Sequence, residues 1–163
     1  MTLVFLGVGG NIGDSAALVQ RAFDHIAALP GVAAVRCSRL YRTTPVSALP
    51  QPDFVNAACS LTTTLTAREL LAALQRIEQN LGKVEKKKDE PRPIDLDILL
   101  FGEECYNSSE MTIPHPRWKE RLFVLVPLLV LTEGVALPGE ERLCLKGWLA
   151  GFDNINGERV EVF

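Results

Sequence analysis

No apolar run in the sequence approaches the roughly 18 residues needed to span a membrane. The first residues, Met1-Thr2-Leu3-Val4-Phe5, lack a basic stretch and a small-residue cleavage site, so no signal peptide is expected. Cysteine is sparse: Cys37, Cys59, Cys105 and Cys144 are scattered and form no Cys-x-x-Cys pair. They read as buried thiols of a reducing, cytoplasmic protein. An excess of positive charge is missing too. Seventeen Lys and Arg face twenty Asp and Glu, a net charge of −3, which argues against general nucleic-acid binding. Internal repeats and low-complexity segments are absent. What is present is a 163-residue chain, 47% hydrophobic, of a length typical of one domain with a real core.

The acidic segment Pro91-Arg92-Pro93-Ile94-Asp95-Leu96-Asp97-Ile98-Leu99-Leu100-Phe101 stands out. In a strand, Asp95 and Asp97 point to the same face, about 6.6 Å apart, while Ile94, Leu96 and Ile98 face a core. Two acids on one face of a buried strand repel each other and are costly to desolvate. A pair of divalent cations would relieve both costs, and two such ions roughly 3.5–4 Å apart clamp a phosphoryl group in flight. The plainer alternative is a strand edge whose acids face water.

Around this segment, Thr2 to Val8 reads as a central strand ending in glycines. Gly7-Val8-Gly9-Gly10-Asn11-Ile12-Gly13 is not a dinucleotide fingerprint, because Ile12 stands where the third glycine is needed. Asp14 or Ser15 caps a helix running to about Leu29. Its stripe of Leu18, Ala22, His25 and Leu29 makes His25 a structural histidine on or beside the core. Pro30-Gly31 stops the helix, and Val32 to Tyr41 is a second strand. A proline-punctuated loop follows over 42–52, long enough to suggest function or disorder. The third strand, Asp53 to Thr64, turns Val55, Ala57, Cys59 and Leu61 to the core. Asn56 points the other way, either to read the edge of a flat heterocycle or as a plain surface amide. Thr66 and Glu69 form a capping box for a helix with Leu70, Leu74, Ile77 and Leu81 on one stripe, ended by Gly82. Gln75 and Glu78 lie off that stripe, on a face solvated by default.

Lys83 to Glu90 is a charged loop leading to the acidic strand. Gly102 to Glu110 is a polar turn. His115, between Pro114 and Pro116, sits in an extended segment. Arg117, Lys119 and Arg121 follow closely. Leu122 to Leu131 is a buried helix interrupted by Pro127, and Arg142 to Gly151 reads as a short final helix. The order strand, helix, strand, strand, helix, strand is the ferredoxin-like plan. We therefore expect an α+β two-layer sandwich, with a mainly antiparallel four-stranded sheet, helices packed on it, and extra C-terminal helices. One domain would fill 1–163, its core about 2–131, with 152–163 a tail or a linker to a fused partner. That plan alone carries no function.

The motifs carry more. The acidic segment, Tyr41-Arg42-Thr43-x-Pro45, Gln51-Pro52-Asp53-Phe54-Val55-Asn56-Ala57, and Pro114-His115-Pro116 followed by Arg121-x-Phe123-Val124-Leu125-x-Pro127-Leu128 together resemble the 6-hydroxymethyl-7,8-dihydropterin pyrophosphokinase family of folate synthesis. The resemblance runs from about Leu6 to Leu131. It implies transfer of a pyrophosphoryl group from ATP to the pterin hydroxymethyl group, with AMP released. It implies that Asp95 and Asp97 hold two Mg²⁺ ions and that Arg92, His115 and Arg121 meet phosphate oxygens. Thr43, Pro45, Phe54, Asn56 and Phe123 would line the pterin pocket. Leu71, Gln75, Glu78, Lys83, Ile98 and Thr112 would join the phosphate-binding residues around the nucleotide. The expected partners are these small molecules, with no nucleic acid or membrane; fusion to the next folate enzyme also occurs in the family. The sequence departs from the family at Lys83-Val84-Glu85, where Arg-x-Arg is usual, at Asp89-Glu90, where Trp-Gly is usual, and at Gly10 and Pro116. A non-catalytic pterin- or nucleotide-binding relative with an impaired loop is the second reading.

Overall fold

The computed structural model describes residues 1–45, 50–83, 91–132 and 160–163. Strand β1 (Thr2–Gly10) is central, antiparallel to both β4 (Phe54–Thr63) and β5 (Asp95–Phe101). On the far side of β4 lie β2 (Val32–Cys37) and β3 (Tyr41–Thr43), and β8 (Val160–Val162) pairs with β3. The sheet thus has six strands among the described residues, not four.

Two causes account for the difference. The expected second strand is broken at Ser38, whose hydroxyl rather than its carbonyl accepts the Ala58 N–H at 2.9 Å, so the backbone ladder stops there. The C-terminal tail, in which we expected no core element, adds β8: Thr43 faces Val160 and the Phe163 N–H donates to the Leu40 carbonyl at 2.8 Å. The polar turn after Gly102 also contains a small hairpin, β6 (Tyr106–Asn107) with β7 (Thr112–Ile113).

Helices α1 (Ser15–Ala27) and α2 (Ala67–Asn80) cover one face of the sheet. Asp14 caps α1 by accepting the Ala17 N–H at 3.1 Å, and Thr66 with Glu69 forms the expected capping box on α2. The α2 stripe is buried as expected, and Gly82 turns the chain with a φ of +96°. The α1 stripe differs: Val19, Ala22, Phe23 and Ile26 are buried and His25 is exposed. Phe23 and Ile26 bring far more apolar area than His25, which lies one residue, or about 100° of rotation, before Ile26. Cys37, on the edge strand β2, and Cys105, in the turn before β6, are exposed as well; only Cys59 is buried among the described thiols.

The opposite face of the sheet carries a second core, where α3 (Leu122–Thr132) and Trp118 pack on Phe5, Ala58, Leu99 and Leu100. The sheet is therefore covered by helices on both faces, not on one as a two-layer sandwich requires. The remainder of this second face, beyond α3, is the cleft. The helix expected over Arg142 to Gly151, and most of the tail, lie outside the described residues.

Candidate active site

The floor of the cleft is the glycine end of β1. Gly9 stands in register between Asn56 on β4 and Asp95 on β5, and Gly7 stands between Ala58 and Asp97. Close approach explains the glycines. A Cβ at Gly9 would lie 2.0 Å from Asn56 Oδ1, and one at Gly10 would lie 2.0 Å from the Pro93 carbonyl oxygen. One open strand end thus separates a carboxylate pair from a buried amide. With its solvent-filled mouth the cleft measures about 930 Å³.

Asp95 and Asp97 both line it. Asp97 is pushed up to about 7, first by burial and then by the neighbouring Asp95 charge. Lys83 Nζ lies 2.6 Å from Asp95 Oδ1 and 2.8 Å from Glu78 Oε1. Burial works against the ammonium, but its hydrogen bonds to Asp95 and Glu78 outweigh that and hold its pKa above the ordinary value. Glu78 is buried, accepts the Leu96 N–H at 2.7 Å, and is raised chiefly by burial. Arg92 reaches towards Asp95 (Nε to Oδ2, 3.6 Å) and lies over the Phe54 ring, 5.7 Å from its centroid. Its Nε is buried without a hydrogen-bond partner.

Across the floor, Asn56 Nδ2 donates to Thr43 Oγ1 at 2.8 Å, and both residues are buried. Phe54 and Phe123 line the same cleft, and Arg121 lies over the Phe123 ring at 5.4 Å. The result is a slot with aromatic sides, a hydrogen-bonding wall, and an acidic end flanked by guanidinium groups.

The sequence of residues 5–133 matches the family model described as 7,8-dihydro-6-hydroxymethylpterin-pyrophosphokinase (HPPK). The chain belongs to this family. It is 39% identical over 161 residues to the 2-amino-4-hydroxy-6-hydroxymethyldihydropteridine pyrophosphokinase of Methylorubrum extorquens, covering 99% of this chain and 100% of that one. The Pseudomonas aeruginosa enzyme of the same name is 38% identical over 140 residues, 86% of each chain. A crystal structure of wild-type Plasmodium falciparum HPPK-DHPS shares the fold, with a TM-score of 0.63 at 14% identity. It covers 96% of this chain but 45% of that chain, so this sequence spans under half of that two-part protein.

Of the residues singled out from the sequence, the cleft brings together Thr43, Phe54, Asn56, Arg92, Asp95, Asp97, Arg121 and Phe123. Lys83 and Glu78 adjoin it through Asp95. Glu78 is buried where a solvated face was expected, because its carboxylate turns inward to the Leu96 amide. Pro45, Leu71, Gln75, Ile98, Thr112 and His115 are not among the residues lining the cleft. Ile98 faces the main core, as the alternation along β5 requires. Leu71 is partly buried against that core, while Gln75 and Thr112 are exposed. His115 is tied by its N–H to the Leu99 carbonyl at 3.1 Å, and its Nδ1 accepts from the Arg117 N–H at 3.3 Å. That leaves Nε2 as the ring nitrogen not engaged by the Arg117 N–H. Burial, then the Arg121 charge, lowers its pKa, favouring the neutral imidazole.

Sequence reasoning missed Gln51 and Leu99 as cleft residues and gave Arg117 no role, although all three line the cleft. Neither hydropathy nor spacing distinguishes them from loop and core positions. The donor set fits Mg²⁺. A hard divalent ion takes one or two carboxylates plus phosphate oxygens and water rather than an all-protein cage. Asp95 and Asp97, two residues apart on β5, both line the cleft and supply two such carboxylates.

Proposed function

We propose that this cleft transfers the pyrophosphoryl group of ATP to the hydroxymethyl group of 6-hydroxymethyl-7,8-dihydropterin, releasing AMP, as a cytoplasmic step of folate biosynthesis. The observation that carries the proposal is the floor of β1, with the Asn56–Thr43 wall on one side of Gly9 and the Asp95/Asp97 pair on the other. An acceptor ring and a phosphate chain fit side by side there. Asn56 reads the edge of the pterin, Phe54 and Phe123 stack on its faces, and Pro45 closes the rim beside Thr43. Arg92, with its buried and unbonded Nε, takes a phosphate oxygen. Arg121 does the same from the opposite wall, and neutral His115 offers Nε2–H as a donor. Leu71, Gln75, Glu78, Lys83, Ile98 and Thr112 frame the rest of the nucleotide. Asp95 and Asp97 hold two Mg²⁺ ions, which when bound neutralise the phosphate charge and stabilise the leaving oxygen.

The pterin hydroxyl oxygen bonds to the β-phosphorus as its proton passes to solvent, and the bond from that phosphorus to the α–β bridging oxygen breaks, so that this oxygen departs with AMP. We read the fold as a ferredoxin-like core of one domain, about 2–131, whose strand order β5-β1-β4 with β2 and β3 outside supports that reading. The second reading, a non-catalytic binder, is disfavoured by the family match and by the intact acid pair. Phosphorus NMR of the reaction mixture tests the proposal. AMP with a diphosphate-monoester pattern is expected; ADP with a monophosphorylated pterin would overturn it.

A further inference from the structure

We infer that Asn11 is a positioning residue that sets the distance between the two substrates. This deepens the function proposed above and rests on it. Asn11 is the first residue past β1 and is 4% exposed. Its Nδ2 donates to Gln51 Oε1 at 2.9 Å and to the Pro52 carbonyl at 3.0 Å. Its Oδ1 accepts the Arg92 N–H at 3.0 Å, and its own N–H donates to the Arg92 carbonyl at 2.9 Å. One amide therefore ties together two segments far apart in sequence. Gln51 lines the cleft and precedes Phe54 on the acceptor side; Arg92 lines the cleft on the phosphate side.

The chemistry of the residue matters. A short side chain must donate in one direction and accept in the other, which among the shortest side chains only the carboxamide does with fixed geometry. The backbone approach is close as well: a Cβ at Gly10 would lie 2.0 Å from the Pro93 carbonyl. Two-substrate transfer depends on alignment, and a displacement of about 1 Å can cost on the order of a hundredfold in rate. Asn11 touches neither reacting atom; it holds the two walls that do.

The experiment uses Asn11→Ala, Asn11→Asp and Asn11→Ser in the full chain, with wild type alongside. Binding of the pterin and of a non-hydrolysable ATP analogue with Mg²⁺ is measured separately by calorimetry, and kcat is measured on the folded fraction. For Asn11→Ala, kcat should fall at least about tenfold while each substrate's Kd changes less than about threefold. Asn11→Asp keeps the acceptor for the Arg92 N–H and loses the donor to Gln51 and Pro52. Its second carboxylate oxygen also repels the Gln51 Oε1 and Pro52 carbonyl oxygens, a push that Asn11→Ala lacks, so it should weaken pterin binding by more than about threefold and leave the nucleotide Kd within about threefold of wild type. Asn11→Ser should fall between wild type and Asn11→Ala in kcat. A merely structural role predicts lower Tm with wild-type kcat in the folded fraction, and that result would overturn the inference. If Asn11→Ala does not fold, Asn11→Asp decides: equal loss of both affinities, or of neither, counts against it. Wild type that turns over beside unaffected variants defeats the inference alone. Wild type that binds neither ligand defeats the functional reading first.

Discussion

Lys83 Nζ sits within 2.6 Å of Asp95 and 2.8 Å of Glu78, so an ammonium already occupies the acidic end of the cleft. A divalent cation and this ammonium compete for Asp95. Lys83→Met keeps the length and removes the charge, so it should bind Mn²⁺ in the absence of nucleotide at least about threefold more tightly than wild type, the direction expected when a competing positive charge is removed from a carboxylate. Electron paramagnetic resonance of free Mn²⁺ measures this, and equal or weaker binding would rule the competition out. Asp97 makes a second prediction, on the metal-free protein. Its pKa rises from 3.8 to about 7 on folding, so the folded chain keeps a proton that the unfolded chain releases. Asp97 therefore adds no cost below about pH 4, destabilises increasingly through this window, and imposes its full cost above about pH 7. His115 acts oppositely, since its lowered pKa adds stability as pH rises through its ordinary value of 6.5. Buried Glu78 acts in the same direction as Asp97. Both remain in Asp97→Asn, so the comparison reads Asp97 together with its repulsion of Glu78. In EDTA, urea unfolding across this pH range should show the mutant gaining on wild type towards neutral pH. Parallel curves would mean that Asp97 ionises freely.

At the level of elements, β1 does the most for the site, and the sequence revealed its position but not its reach. The glycine run marked the end of a strand; that the strand continues through Gly10, carrying its ladder to Asn56 and Asp95, needed the partner strands. The alternation in β4 and β5 was legible, because large apolar residues every second position leave one face no other choice. Helix α2 was legible down to its cap. The phase of α1 was not, since Leu18 and Leu29 offered a competing stripe to Val19, Phe23 and Ile26. Strand β8 is only three residues long, too short for a periodic signal. The role of β1 gives a third prediction. Gly9→Ala would place a Cβ 2.0 Å from Asn56 Oδ1, so the amide must leave its hydrogen bond to Thr43. Overpacking of this kind costs about 1–3 kcal/mol of stability. The pterin should bind at least about tenfold more weakly, about 1.4 kcal/mol, because the recognition wall is what moves. Metal binding at Asp95 and Asp97 should change less. Calorimetry with pterin and with Mn²⁺ separates the two, and an unchanged pterin affinity would place the acceptor elsewhere.

Taken whole, the molecule divides its labour between the faces of one sheet. The α1/α2 face buries the larger core, while the other face is shared between the α3 core and the cleft. The family motifs pointed to eight of the residues that line the cleft, but not to the contacts that couple its halves, because Asn11, Gln51 and Arg92 meet only through folding. Charge is the property that the whole chain brings to its ligand. The net charge is −3, and the described cleft offers Arg92, Arg117 and Arg121 against Asp95 and Asp97. Even with Lys83 beside Asp95, these cations cannot neutralise a triphosphate that brings about four negative charges. Nucleotide binding should therefore require a divalent metal. Chelation is expected to weaken ATP binding by more than about tenfold, or about 1.4 kcal/mol. Because a ligand that binds only the folded state stabilises it by RT ln(1 + [L]/Kd), ATP should raise Tm clearly with Mg²⁺ and by much less in EDTA. Titration calorimetry and thermal melts with the two buffers check this together. Equal ATP affinity in both would mean that the arginines alone carry the phosphates and that the acid pair serves something other than nucleotide binding.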